Sequence, residues 1–167
     1  GCILVRNGKE VARGHTQPYG GKHAERVAFD ALPSDVNTSE LTAYVTLEPC
    51  CHLGKQPPCS DLFSQHRPAR VVIATRDPNP LVSGKGIEKI LAAGISVNIG
   101  VLEAEVRAWL SPFLTSQITG KVMLAGKWGQ TLDGHLADDS SASQWITGSM
   151  ARAYSHWLRQ KYDVVVV

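Results

Sequence analysis

No sign of charge dominates this sequence: 17 lysines and arginines stand against 15 aspartates and glutamates, a net of +2 over 167 residues. The charges are spread along the chain, so it has no basic stripe of the kind that holds nucleic acid or an anionic membrane, and a small dissolved molecule is the default partner. Nor is there a run of about 18 apolar residues, the length that spans a bilayer, or a charged n-region leading into an apolar h-region. Neither a membrane-spanning helix nor a secretory signal is expected. Cysteine is too sparse for a disulfide framework: there are four in a chain this long, two of them adjacent (Cys50 and Cys51). That usage suits metal binding or catalysis in a reducing compartment, and the cytoplasm is the expected location. Internal repeats and low-complexity tracts are absent as well, which leaves one ordinary domain, or one plus part of a second.

What is present has a clear order. Apolar runs at 2–6 and 10–16 flank Asn7-Gly8, a pair that supplies positive φ for a tight turn, and predict a β-hairpin. From His23 the spacing of Ala24, Val27, Ala28, Ala31 and Leu32 is helical until Pro33 stops it. Thr42 to Leu47 is β-branched and alternating, hence a strand, followed by a short helix from Ser60 to His66 and a continuous apolar strand from Arg70 to Thr75. A loop at Asp77-Pro78-Asn79-Pro80, a helix over 86–93, a strand over 96–101 and a single helix over 102–117 complete the alternation. It argues for a largely parallel sheet with helices on its faces. The composition resets near residue 118, giving expected domains of 1–118 and 119–167. In the second, strands are expected at 121–125 and 163–167 and a helix over 149–161. The terminal runs Cys2-Ile3-Leu4-Val5 and Val164 to Val167 read as buried strands in need of neighbours, so the expectation is of a chain that continues beyond both ends. The second part, about 50 residues, falls below the roughly 55–65 at which small domains fold alone, and no complete catalytic site is expected within it.

The chemistry concentrates between His23 and Cys59. One histidine and two cysteines suit Zn²⁺, and three protein ligands leave the fourth tetrahedral position for water, as in catalytic zinc sites. Helix starts at His23 and Cys59 carry partial positive charge that favours thiolate ligands. Glu25, two residues after His23, would be the acid/base. Plainer accounts exist: Glu25 favoured in a first helical turn by the dipole, and Cys50 and Cys59 as two buried thiols. Zinc nucleobase deaminases join His-x-Glu to Pro-Cys-x-x-Cys, whereas eight residues separate Cys50 from Cys59 here. A non-catalytic structural zinc would need a fourth ligand, for which Cys51 and His52 are the near candidates. Cys2 is expected in the core.

Thr46-Leu47-Glu48-Pro49-Cys50-Cys51-His52-Leu53-Gly54-Lys55-Gln56-Pro57-Pro58-Cys59, with His23-Ala24-Glu25 before it and Asp77-Pro78-Asn79-Pro80-Leu81-Val82-Ser83-Gly84-Lys85-Gly86 after it, resembles the deaminase half of the bifunctional riboflavin biosynthesis deaminase/reductases. The resemblance implies a cytidine-deaminase-like three-layer α/β/α fold with a mixed sheet. It implies His23, Cys50 and Cys59 as zinc ligands and Glu25 as proton shuttle. The implied reaction is hydrolytic loss of the ring amine from 2,5-diamino-6-ribosylamino-4(3H)-pyrimidinone 5′-phosphate. His52, Lys55, Asp77 and Asn79 follow strand carboxyl ends, the usual ligand-facing edge of such sheets, and are substrate-binding candidates, Lys55 for the phosphate. Each could equally be a solvated loop residue or part of an Asx-turn.

Lys127 to Gly134, Ser143 to Gly148 and Arg152 to Arg159 resemble the start of the same family's reductase domain, a dihydrofolate-reductase-like α/β fold that uses NADPH to open the ribose. By position the resemblance implies Ser143 and Arg159 at substrate and Trp145 at the cofactor, with Gln130 nearby. On the residues alone, this region reads as a strand and an amphipathic helix with Trp145 and Trp157 as core aromatics. A homo-oligomer is compatible with all of this. The competing activity is a nucleoside or nucleic-acid deaminase, which the cysteine spacing and the even charge disfavour.

Overall fold

The computed structural model describes residues 1–80, 82–141 and 145–167. The chain divides into two compact units, Gly1–Met123 and Leu124–Val167.

The first unit is built on a five-stranded mixed sheet. Strands β1 (Cys2–Arg6) and β2 (Lys9–Gly14) form the hairpin, turning at Asn7 and Gly8 with φ of 51° and 73°. Strand β3 (Thr42–Leu47) pairs antiparallel with β1, while β4 (Arg70–Thr75) and β5 (Ser96–Ile99) continue parallel from it in the order β2-β1-β3-β4-β5. Helices α1 (Ala24–Asp30), α2 (Cys59–His66) and α3 (Lys85–Ala92) lie along one face. Against that face Cys2, Leu4, Ala43, Val45, Val71 and Ile73 meet Ala28, Phe29, Phe63 and Ile90 in one core. Phe29 and Phe63 touch edge to face at 5.6 Å, the favoured arrangement for two aromatic quadrupoles. Residues 71–75 are all buried because β4 is covered on both sides. On the far face Val106, from helix α4 (Glu103–Trp109), lies with Val72 and Ala74.

Gly14 sets the distance between α1 and the hairpin. A Cβ there would sit 2.1 Å from the Ala24 carbonyl oxygen and 2.6 Å from the Ala28 nitrogen, so only glycine lets the helix backbone come this close to β2.

Three expectations are corrected. The helix expected over 102–117 is two, α4 and α5 (Ser111–Thr119), broken at Leu110 because Pro112 has no N–H to donate and enters only in a first turn. The strand expected over 96–101 ends at Ile99, where Gly100 turns out at φ 92°. Residues 121–125 and 163–167 are not strands. A strand exists by pairing, and among the described residues neither run is paired with another; the regular element of the second unit is helix α6 (Ser149–Arg159). No helix among the described residues is long and apolar enough to cross a membrane.

Candidate metal centre and active-site cleft

His23 is the N-cap of α1, in extended backbone, and its imidazole makes no capping bond to the helix. Its Nδ1 lies instead 3.5 Å from Cys50 Sγ and 3.4 Å from Cys59 Sγ. Cys59 is the first residue of α2. Its N–H donates to Cys50 Sγ at 3.3 Å, and the next amide, Ser60 N–H, donates to the Cys50 carbonyl at 3.0 Å. Two helix starts and the end of β3 thus bring three donors together, with one first-turn amide, that of Cys59, turned on the Cys50 sulfur.

The fit to zinc can be tested on these distances. Bonds of about 2.3 Å to sulfur and about 2.0 Å to nitrogen, at tetrahedral angles, hold S and N about 3.5 Å apart, which is the separation found. The three ligand atoms lie within 4.8 Å of one another, and among the described residues no fourth His, Cys, Asp or Glu joins them. Cys51 and His52 stand outside the set, so the structural-zinc reading lacks its fourth ligand.

The titration of the group follows from its packing. Cys50 is held down to about 5, first by the hydrogen bond from the Cys59 thiol, then by the Cys59 N–H and His23. Cys59 is pushed up, because giving its proton away would lose that same hydrogen bond and set a second anion in a buried place. Glu25, 9% exposed, is raised chiefly by burial, with the nearby Cys50 adding to it. It lies outside the ligand set and lines the same cleft as His23 and Cys50.

That cleft, of about 510 Å³, opens at the carboxyl ends of β3 and β4 and brings His52, Asp77 and Asn79 to the ligands. Asp77 Oδ1 accepts the Asn79 N–H at 2.8 Å, so the Asx-turn is real and the residue faces the cleft as well. Burial raises the Asp77 carboxyl, opposed by that N–H and by His52. Lys55 is not in this cleft. Its ammonium lies 3.8 Å above the Tyr19 ring and lines an adjoining hollow of about 210 Å³ that shares His23, Cys50 and His52. Leu110, Phe113 and Gln117 wall the main cleft, a role that reading 102–117 as one helix did not anticipate.

Glu48 was missed as a functional residue. It is 2% exposed and accepts four backbone N–H groups, from Asp77, Gly84, Gly86 and Ile87. The signal was a carboxylate placed between a buried strand and Pro49-Cys50, since a buried charge demands partners.

Within the second unit, Trp145 and Arg159 line one cleft of about 500 Å³. The Arg152 guanidinium stands 4.3 Å over the Trp145 ring. Gln130 does not line it and accepts the Trp128 indole N–H at 2.8 Å. Ser143 lies outside the described residues.

Residues 1–75 match the cytidine and deoxycytidylate deaminase zinc-binding region, and residues 122–167 match the RibD C-terminal domain. The riboflavin biosynthesis protein RibD of Aquifex aeolicus is 42% identical over 167 residues, all of this chain and 46% of that protein. The Escherichia coli protein of the same name is 39% identical over 99% of this chain and 45% of its own length. A crystal structure of a Thermotoga maritima diaminohydroxyphosphoribosylaminopyrimidine deaminase/5-amino-6-(5-phosphoribosylamino)uracil reductase superposes with a TM-score of 0.89 at 41% identity, over 96% of this chain and 46% of that one. Acinetobacter baumannii RibD gives 0.81 at 39%, over 93% and 44%. The chain therefore spans somewhat less than half the length of these relatives. With a ligand trio that fits zinc and identity of this order along the whole of its own length, the chain is similar throughout to the RibD riboflavin biosynthesis proteins.

Proposed function

We propose that the chain carries the deaminase activity of riboflavin synthesis, hydrolysing the ring amine of 2,5-diamino-6-ribosylamino-4(3H)-pyrimidinone 5′-phosphate. The observation that carries this reading is a three-ligand zinc set opening on a cleft beside a buried carboxyl that is not itself a ligand. Zinc held by His23, Cys50 and Cys59 supplies the Lewis acidity that makes water nucleophilic near neutral pH. Glu25 takes the proton of the attacking water and returns it to the departing amine. Its raised affinity for a proton suits both halves of that task. Asp77, Asn79 and His52 orient the pyrimidine and ribosyl groups, and Lys55 in the adjoining hollow meets the phosphate.

Residues 1–118 are the deaminase domain in this reading and 119–167 the beginning of an NADPH-dependent reductase domain. In the longer protein Ser143 and Arg159 would contact the reductase substrate and Trp145 and Gln130 the cofactor. The reading also takes the protein to be cytoplasmic and to act on a small phosphorylated pyrimidine, with self-association possible.

Ammonia release decides the matter. It should be seen with the phosphorylated ribosylaminopyrimidine and not with cytidine or single-stranded DNA. Cys59→Ser should lose both zinc and turnover, and Glu25→Gln should keep about one zinc per chain while turnover falls by about 10²-fold or more. Turnover of cytidine at a comparable rate, or an active Glu25→Gln enzyme, would overturn the assignment.

A further inference from the structure

We propose that Glu48 is a positioning residue, whose buried carboxylate holds the start of α3 and the Asp77–Asn79 turn in register with the zinc ligands. This rests on the reading of the cleft as the pyrimidine site.

Glu48 follows the last residue of β3 and stands two before Cys50. Both of its oxygens are used. Oε1 accepts from Gly86 at 3.1 Å and Ile87 at 3.3 Å, and Oε2 from Gly84 at 3.1 Å and Asp77 at 3.3 Å. Among the described residues no ion pair includes it. Its charge is met by amides instead, two of them from the first turn of α3.

That helix needs such a partner. Its N-cap is Gly84, at φ 83°, which has no side chain with which to cap. Of the first four helical amides, Lys85 N–H goes to the Val82 carbonyl and Glu88 N–H to the Gly84 carbonyl, leaving those of Gly86 and Ile87 for Glu48. The cap of α3 thus comes from another element, 38 positions earlier in the chain.

A second observation shows that the junction is built from both sides. A Cβ on Gly86 would lie 2.1 Å from the Pro49 carbonyl oxygen, so glycine here lets the start of α3 rest on the backbone between Glu48 and Cys50. At its other end the same carboxylate holds the Asp77 N–H, while the Asp77 side chain fixes Asn79 through its own turn. One side chain therefore spans the segment bearing a metal ligand and the segment bearing the cleft's polar wall. A pyrimidine held between them is gripped only as well as the two are aligned.

The test uses the zinc-loaded chain with Glu48→Gln, which keeps one acceptor but turns an NH₂ toward N–H groups, and Glu48→Asp, which keeps the charge on a shorter arm. For Glu48→Gln we expect zinc content and the visible spectrum of the cobalt-substituted protein to be unchanged. KM should rise about 10-fold or more while kcat changes less than about 3-fold, with Glu48→Asp recovering part of the loss. Unchanged KM, or a fall in kcat accompanied by an altered cobalt spectrum, would overturn the proposal. Should Glu48→Gln not fold, amide exchange in the unsubstituted chain decides. The Gly84, Gly86 and Ile87 amides should exchange as slowly as the strand amides of β4, and fast exchange there would remove the anchor. A parent chain inactive on every pyrimidine would instead remove the proposed function, and the exchange measurement would still judge the anchor.

Discussion

The burial of Glu25 comes at a cost to the fold. Burial raises its carboxyl above the ordinary 4.5, so the folded state holds that proton more tightly than the unfolded chain does. Below about 4.5 both states are protonated and the group is neutral in its effect. As pH rises toward the folded value the unfolded chain ionises first and stability falls, and above it the deficit is constant. In metal-stripped protein, Glu25→Gln should therefore melt with the parent near pH 4 and above it at pH 8, while being inactive when zinc is restored. A parent that melts higher than the variant at pH 8 would show that Glu25 is stabilising as an anion. The cluster of His23, Cys50 and Cys59 was legible in the sequence because ligand chemistry accepts few substitutes and helix starts are marked locally. Glu48 was not, because the amides that explain it lie 29 to 39 residues further on.

At the level of elements, the junction of α1 with β2 governs where His23 and Glu25 stand. Both atoms that a Cβ on Gly14 would strike belong to helix backbone, which cannot swing aside as a side chain would. Gly14→Ala should lower stability by about 2–3 kcal/mol and weaken zinc binding, as followed by urea unfolding and competitive metal titration. Loss of less than about 0.5 kcal/mol would mean that α1 sits further from the hairpin. Elements with punctuation of their own could be read in advance: the Asn7-Gly8 turn, Pro33 after α1, the apolar run of β4. The break at Leu110 was hidden because Pro112 sits inside an otherwise continuous apolar periodicity. The strands expected at 121–125 and 163–167 rested on apolar composition, and composition supplies no partner.

Across the whole molecule the two units are unequal in what they bury. The hydrophobic core lies entirely in the first, whereas among the described residues of the second only Ser155 is buried. Amide exchange should accordingly be slowest in β3 and β4 and much faster in α6, since protection follows buried apolar contact. Exchange in α6 as slow as in β4 would refute that ranking. The ligand set has a consequence for how the metal acts on folding. Cys50, Cys51, His52 and Cys59 fall within ten consecutive positions, a four-donor cluster that exists in the unfolded chain with no tertiary structure at all. The native set discards Cys51 and His52 and recruits His23 from 27 positions before Cys50. Zinc thus has a competing home in the denatured ensemble, so it stabilises the fold by less than its native affinity alone would give. A chain holding the ion on Cys51 or His52 before β3 has paired would have to release that donor to complete the folded cluster.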